Sequence, residues 1–216
     1  MPLRSTWRIA VSFACLVIAV PALGVVIDDF KSGASRTAPR AVSHRRIGTM
    51  SATDPKLPGV IGGVRRVTVT VTSLQIPDLD TVTADILPGV GVFDYSSTNG
   101  ADGRVDLTYD GGDARGAGLN LNLSAESAIL VDIADADASA VPYTVSVKLA
   151  DGSGRSAETT QNIVSPGPRQ LRFPLAAFKS ITLTRVRSIA LGINPGRAGD
   201  LQLNQVRTVA AGGKGS

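Results

Sequence analysis

The sequence predicts an all-β chain, a sandwich or barrel of short antiparallel strands. Two observations lead there. Apolar and polar residues alternate with period two along much of the chain, the repeat of a half-buried strand. Gly, Pro, Asn and Asp cluster between the alternating runs at short, regular spacing, as in all-β folds.

The clearest run is "RVTVTVTSLQI", where Val67, Val69 and Val71 face one way and Thr68, Thr70 and Thr72 the other. β-branched residues on both faces suit a pleated surface with one buried side. Further strands are expected at Val25–Phe30, Thr81–Leu87, Val90–Tyr95, Arg104–Tyr109, Leu119–Leu123, Ile129–Ile133, Pro142–Leu149, Ser156–Ile163, Gln170–Leu175, Ser188–Ile193 and Asp200–Val206. The turns between them are "TNGADG", "YDGGD", Asp151-Gly152, "SPGP" and "NPG". Asn-Gly and Asp-Gly accept the positive φ that tight hairpins require. The Ala-rich window Leu123–Ala140 is also compatible with a helix, but Ile129, Val131 and Ile133 alternate, which favours a strand. "LAAFKS" reads as a single helical turn in a connection. Residues 31–57 show no periodicity and read as one long basic loop, carrying Lys31, Arg36, Arg40, Arg45 and Arg46. Such a loop is either solvated surface or a patch for an acidic envelope polymer or lipid headgroups.

Residues 1–24 read as an export signal, helical and removed on export. Arg4 and Arg8 supply the positive start, Ile9 to Val20 the apolar stretch, and Ala22-Leu23-Gly24 the small-x-small cleavage pattern. The apolar stretch is shorter than the roughly 20 residues needed to span a bilayer. A periplasmic or extracellular location follows as the expectation, with one domain over 25–208, a disordered tail over 209–216 and no membrane span in the mature chain. Cys15, the only cysteine, leaves with the signal. The mature chain then has no disulfide, no thiolate metal ligand and no thiol nucleophile.

The whole chain has 22 basic and 18 acidic side chains and a net charge of +4; loss of Arg4 and Arg8 leaves 20 against 18, or +2. That balance argues against nucleic acid as a partner. His44 is the only histidine, so a histidine zinc site has no second ligand of its kind. It also lacks an evident Ser and acid partner for a triad. No acid pair stands in a recognisable hydrolytic setting. The expectation is a protein that is not an enzyme.

Several stretches, taken in order, carry a resemblance: "VVIDDF", "GVIGGVRRVTVTV", "LTYDG", "VPYTVSVKLADGSG", "LRFPLAAF" and "VRSIALGINPGRAGDLQLNQVRT". The chain resembles exported bacterial β-sandwich proteins of jelly-roll type, similar to the galactose-binding-like sandwiches of carbohydrate-binding modules. Several such relatives carry a C-terminal sorting anchor, whereas this chain ends in "AAGGKGS" without an apolar tail or a basic stop. The resemblance implies a two-sheet antiparallel sandwich and a glycan- or surface-binding role. It also implies a structural calcium between the first and last strands, with Asp29 and Asp200 as its acids.

Adjacent residues of a strand point to opposite faces, so Asp28 and Asp29 cannot both face one ligand. They read as the polar start of a first strand, with Asp29 the one able to reach a cation. Asp132, Asp135 and Asp137 crowd together but lack the glycine turn and closing glutamate of a calcium loop. Asp94, Tyr95, Tyr109, Asp110 and Arg115 form the candidate ligand surface, since rings stack on sugars and charged groups bind hydroxyls. In the other reading Tyr109 continues the Val105–Leu107 alternation into the core, and the acids are turn residues. The functional expectation is a noncatalytic exported envelope module that binds polysaccharide or a cell-surface protein. The alternatives are a structural component of a surface or matrix assembly and a polysaccharide-acting hydrolase.

Overall fold

The structure, a computed structural model, describes residues 24–33, 40–112, 118–137, 142–195 and 199–212. The expected signal helix, Arg36 and Arg115 lie outside these residues. Thirteen strands are present among the described residues: β1 Val26–Asp28, β2 Arg40–His44, β3 Gly48–Pro55, β4 Val64–Leu74, β5 Val82–Leu87, β6 Val92–Ser97, β7 Ala101–Tyr109, β8 Glu126–Ala136, β9 Tyr143–Asp151, β10 Ser156–Ile163, β11 Arg169–Pro174, β12 Val186–Pro195 and β13 Asp200–Ala210. No helix among the described residues is long and apolar enough to cross a membrane.

The strands form two antiparallel sheets, a β-sandwich as the alternation requires. One has the order β11-β8-β13-β6-β5-β2, with β1 added to β13; the other has the order β10-β9-β12-β7-β4-β3. Strands β6 to β13 supply β11-β8-β13-β6 and β10-β9-β12-β7, and the chain crosses between sheets at every step except the β9–β10 hairpin. This is the eight-stranded jelly-roll connection. Strands β5 and β2 extend one sheet and β4 and β3 the other, on the same side of the molecule.

The register builds the core in rows. Val147, Leu191, Leu107 and Val67 lie side by side across β9, β12, β7 and β4, and Val145, Ile193, Val105 and Val69 form the next row. Opposite them pack Ile86, Phe93, Ile129, Val131, Leu203 and Val206 of the other sheet, all buried. Each such side chain contributes about 1.5–3 kcal/mol on burial.

Three expectations are corrected. Residues 31–57 are not one loop, because β2 pairs with β5 and β3 with β4. The hydroxyl pairs Thr49–Thr70 and Ser51–Thr68 bond across β3 and β4 on the outer face, so polarity there marks a solvated strand face. Leu119–Leu123 is not a strand: Gly118 and Asn120 have φ of 67° and 48°, which breaks the extended run and leaves only the bridge Leu121–Val186. Strand β13 runs to Ala210, past the expected domain end. The ambiguous Ala-rich window is a strand, β8, and "LAA" is a single 3₁₀ turn, Leu175–Ala177.

One inward position of β4 is charged. Arg65 is in phase with Val67, Val69 and Val71 and is fully buried. Its Nη1 donates to both carboxylate oxygens of Asp28, at 3.0 and 2.9 Å, and its Nη2 donates to the Ser32 carbonyl at 2.8 Å. Tyr109 Oη donates to Asp28 Oδ2 at 3.0 Å, and the Phe30 amide donates to Oδ1 at 2.8 Å. Asp54 lies 3.8 Å from Nη2, and the Phe30 ring lies 5.9 Å from the guanidinium carbon. Burial pushes the Asp28 carboxyl above its ordinary range, and the Arg65 charge acts against that shift.

A second polar node closes the β9–β10 hairpin. Asp151 accepts from the amides of Ser153, Arg155 and Thr182 at 2.9, 3.1 and 2.9 Å, and Arg155 Nε donates to it at 3.2 Å. The Ser153 hydroxyl bond and the Thr182 amide hold its carboxyl well below the usual range.

Arg65→Met is expected to cost about 3–5 kcal/mol, because it strands the Asp28 carboxylate in the core, and a second change, Asp28→Leu, should recover much of that loss. Urea midpoints of the three proteins test this; a single-variant loss under about 1 kcal/mol would show the pair to be dispensable. Asp151 has a depressed pKa, so its contribution is present above the unfolded value of about 3.9 and lost as pH falls toward the folded value. Melting temperatures from pH 7 to pH 2 should fall less steeply for Asp151→Asn than for the parent.

Candidate functional site

The two sheets present different outer faces. On the six-stranded sheet, an open polar trough of about 530 Å³ crosses the middle strands. Its floor is β12, which contributes Ala190 and Gly192. In register, Ala190 lies between Thr108 and Lys148, and Gly192 between Asp106 and Ser146. Small residues on β12 flanked by longer ones on β7 and β9 make the depression. Thr68 and Thr70 extend it over β4, and Glu158, opposite Lys148, closes it on β10.

Arg104 and Asp106, two apart on β7, share the outer face and form an ion pair. That bond raises the Arg104 pKa, with Glu158 adding to the field. The trough therefore holds two cations, Arg104 and Lys148, and two anions, Asp106 and Glu158. Arg offers only donors, Asp and Glu only acceptors, and Ser and Thr both. Among the described residues, no aromatic ring lines the trough. The arrangement can bind hydroxyls by multiple hydrogen bonds from rigid strands.

The sequence-predicted ligand residues are dispersed. Tyr95 and Tyr109 point into the core and are fully buried, so neither ring can stack on a ligand; this corrects the aromatic surface. Burial pushes the Tyr95 phenol up to about 12 and Tyr109 well above the ordinary value. Asp110 pairs with Arg66 at 3.1 Å and accepts the Gly112 amide, as a turn residue does. Asp94 lies on the outer face of the other sheet, where Gln202 donates to it at 3.0 Å.

The metal expectation is also corrected. Strand β1 meets β13 at Val206 and Arg207, whereas Asp200 starts β13 opposite Ser96. At about 3.3 Å per residue this separates Asp29 from Asp200 by roughly 20 Å. Asp29 instead accepts the Lys31 amide at 3.0 Å. Among the described residues, no group of three or more His, Cys, Asp or Glu is placed to hold a metal ion.

Acids do gather on the seven-stranded sheet. Asp85, Asp94, Gln202 and Asp135 occupy one cross-strand row. Beside it a depression of about 390 Å³ is bounded by Asp135, Asp137, Asp200 and Gln202. Burial raises the pKa of both Asp85 and Asp94; their neighbours Asp94 and Asp200, respectively, raise them further.

No protein-family model matches the chain, and no curated protein matches it. Among solved structures it is similar to CtCBM11, with 14% identity over 91% of this chain and 99% of that chain, at a TM-score of 0.47. It is similar to the carbohydrate-binding module CBM28, specific for non-crystalline cellulose, with 9% identity over 66% and 82% of the two chains and a TM-score of 0.38. It is also similar to the agarase AgWH50C, with 12% identity over 66% of this chain and a TM-score of 0.42, where it spans 22% of the agarase. At these identities and scores the likenesses carry no statement about ligand or site.

The residues that sequence reasoning missed are Arg104, Ser146, Lys148, Glu158 and Gly192. Their alternation marked them as outward, but their convergence depends on the order of β4, β7, β12, β9 and β10.

Raised carboxyl pKa values lower stability where the groups are ionised, and the penalty disappears below the unfolded pKa. Asp94→Asn is therefore expected to stabilise the protein by about 0.5 kcal/mol at pH 7, within the range for directly opposed like charges. Unfolding at pH 7 and pH 3 tests it; the gain should vanish at pH 3, and a loss at pH 7 would show that the Asp94–Gln202 bond outweighs the repulsion.

Proposed function

We propose that this protein is an exported, noncatalytic module that binds polysaccharide in the trough of its six-stranded sheet. The single observation that carries the reading is the trough itself. It is open, elongated over several strands, and lined by hydroxyl and charged side chains held on a rigid sheet. A long hydroxylated chain can lie across such a surface and make many modest hydrogen bonds at once. The apparent leader at 1–24 supports export to a compartment where such polymers occur. Among the described residues the lining is polar or small, so recognition there rests on hydrogen bonds.

A second reading is favoured by one feature. Among the described residues, strand β10 ends the six-stranded sheet, pairs only with β9 and carries one charge, Glu158. Such an edge can accept another strand, as a structural part of a surface or matrix assembly would need.

A glycan array and an insoluble-polysaccharide pull-down, with calcium and with chelator, test the first reading. Saturable binding of one glycan class is expected in both conditions, with Arg104→Ala weakening it about 10-fold or more, as loss of a charged hydrogen-bond partner does. No binding by folded protein would reject it. Concentration-dependent self-association without sugar would favour the edge-strand reading instead.

A further inference from the structure

Resting on the trough reading above, the geometry at Gly192 specifies what part of a polysaccharide is recognised. A Cβ built on Gly192 would lie 2.6 Å from Ser146 Oγ, 3.0 Å from Arg104 Nη2 and 3.1 Å from Asp106 Oδ1. Three polar atoms from β7 and β9 thus converge over one bare Cα on the trough floor. A side chain at this position would collide with them and force at least the Ser146 hydroxyl aside.

Ser146 adds an independent observation. It is only 8% exposed, it lines the trough, and its hydroxyl lies over Gly192. There Arg104 supplies a donor and Asp106 an acceptor, locked to each other by their ion pair. The Ser146 hydroxyl can act in either sense. Two neighbouring hydroxyls on one sugar ring match this set: one accepts from Arg104 and donates to Asp106, and the other pairs with Ser146.

The charges narrow the class further. Arg104 and Lys148 are balanced by Asp106 and Glu158. An anionic polymer would gain little from the cations without also meeting the carboxylates. We infer that Ser146, Arg104 and Asp106 form a subsite over Gly192 for a vicinal diol of a neutral polysaccharide, recognised by its hydroxyls and not by a ring face.

Isothermal titration and affinity electrophoresis of the purified protein test this with hydroxyethyl cellulose, mixed-linkage β-glucan, xylan, galactan and polygalacturonate. A neutral polymer should bind and polygalacturonate should not. Periodate treatment of the bound polymer, which cleaves vicinal diols, should reduce affinity at least 10-fold. Gly192→Ala should reduce it at least 10-fold with a lowered melting temperature, since its Cβ would crowd Ser146 Oγ, and Ser146→Ala should reduce it about 5-fold with an unchanged melting temperature. If Gly192→Ala fails to fold, Ser146→Ala and the periodate comparison decide. Full affinity in both variants, with binding lost in Lys148→Ala, would overturn the subsite and leave the trough reading intact. Tighter binding of polygalacturonate would overturn the neutral class. No binding of any polymer would overturn the trough reading and the subsite together.

Discussion

The buried pair Arg65–Asp28 is the constraint on which much of the sandwich depends. A guanidinium on the inward face of β4 stands where the alternation calls for an aliphatic side chain. Leaving it unpaired there would cost several kcal/mol, so the first strand must deliver a carboxylate to that point. Asp28 does so, and its two oxygens are fully used by Arg65, Tyr109 and the Phe30 amide. The pair ties β1, on the seven-stranded sheet, to β4 and β7 of the six-stranded sheet. Phe30, at φ 54°, covers the guanidinium and packs on Phe93 at 5.8 Å between ring centres. With no disulfide among the described strands, this polar cross-tie and the aliphatic rows hold the sheets together. The Arg65 Nε atom is left without a partner, a small residual penalty inside an otherwise satisfied network.

The two sheets use the same alternation and differ in what they leave outside. On the six-stranded sheet the outer residues of the central strand β12 are small, and longer polar residues stand on both sides. That contrast in side-chain length produces a trough without any loop. On the seven-stranded sheet the outer residues include opposed carboxylates, Asp85 against Asp94, which repel. Elsewhere on that face Ala128, Leu130 and Val209 form a separate buried apolar cluster. Leu130 is in register with Arg172 and Arg207, whose heads reach Ser127 and Asp132. Long basic side chains can cover apolar surface with their stems while their heads stay polar.

The turns carry much of the remaining specification. Asp151 gathers the amides of Ser153, Arg155 and Thr182 around one carboxylate, joining the β9–β10 hairpin to the segment before β12. Asp80 does similar work at the other end of the sandwich, accepting from the Ile76 amide and the Thr98 hydroxyl. Asp29 and Asp110 likewise accept nearby amides at turns, as their residue type favours.

The sequence by itself determined most of the strands, the facing of most residues within them, and the turns that separate them, because these follow from a two-residue period and local φ preferences. It was misleading where polar strands lacked a clear alternation, as in β2 and β3. It also contained the phase that puts Arg65 inside, although the acid that meets it lies 37 residues away and the tyrosine that completes the network lies 81 residues from that acid. Only the tertiary structure decided those partners, and only it placed Ser146, Arg104 and Asp106 around Gly192. The reason is that strand order and register are set by packing of the whole core. A period of two states which face a side chain takes, and leaves open which strand will stand beside it.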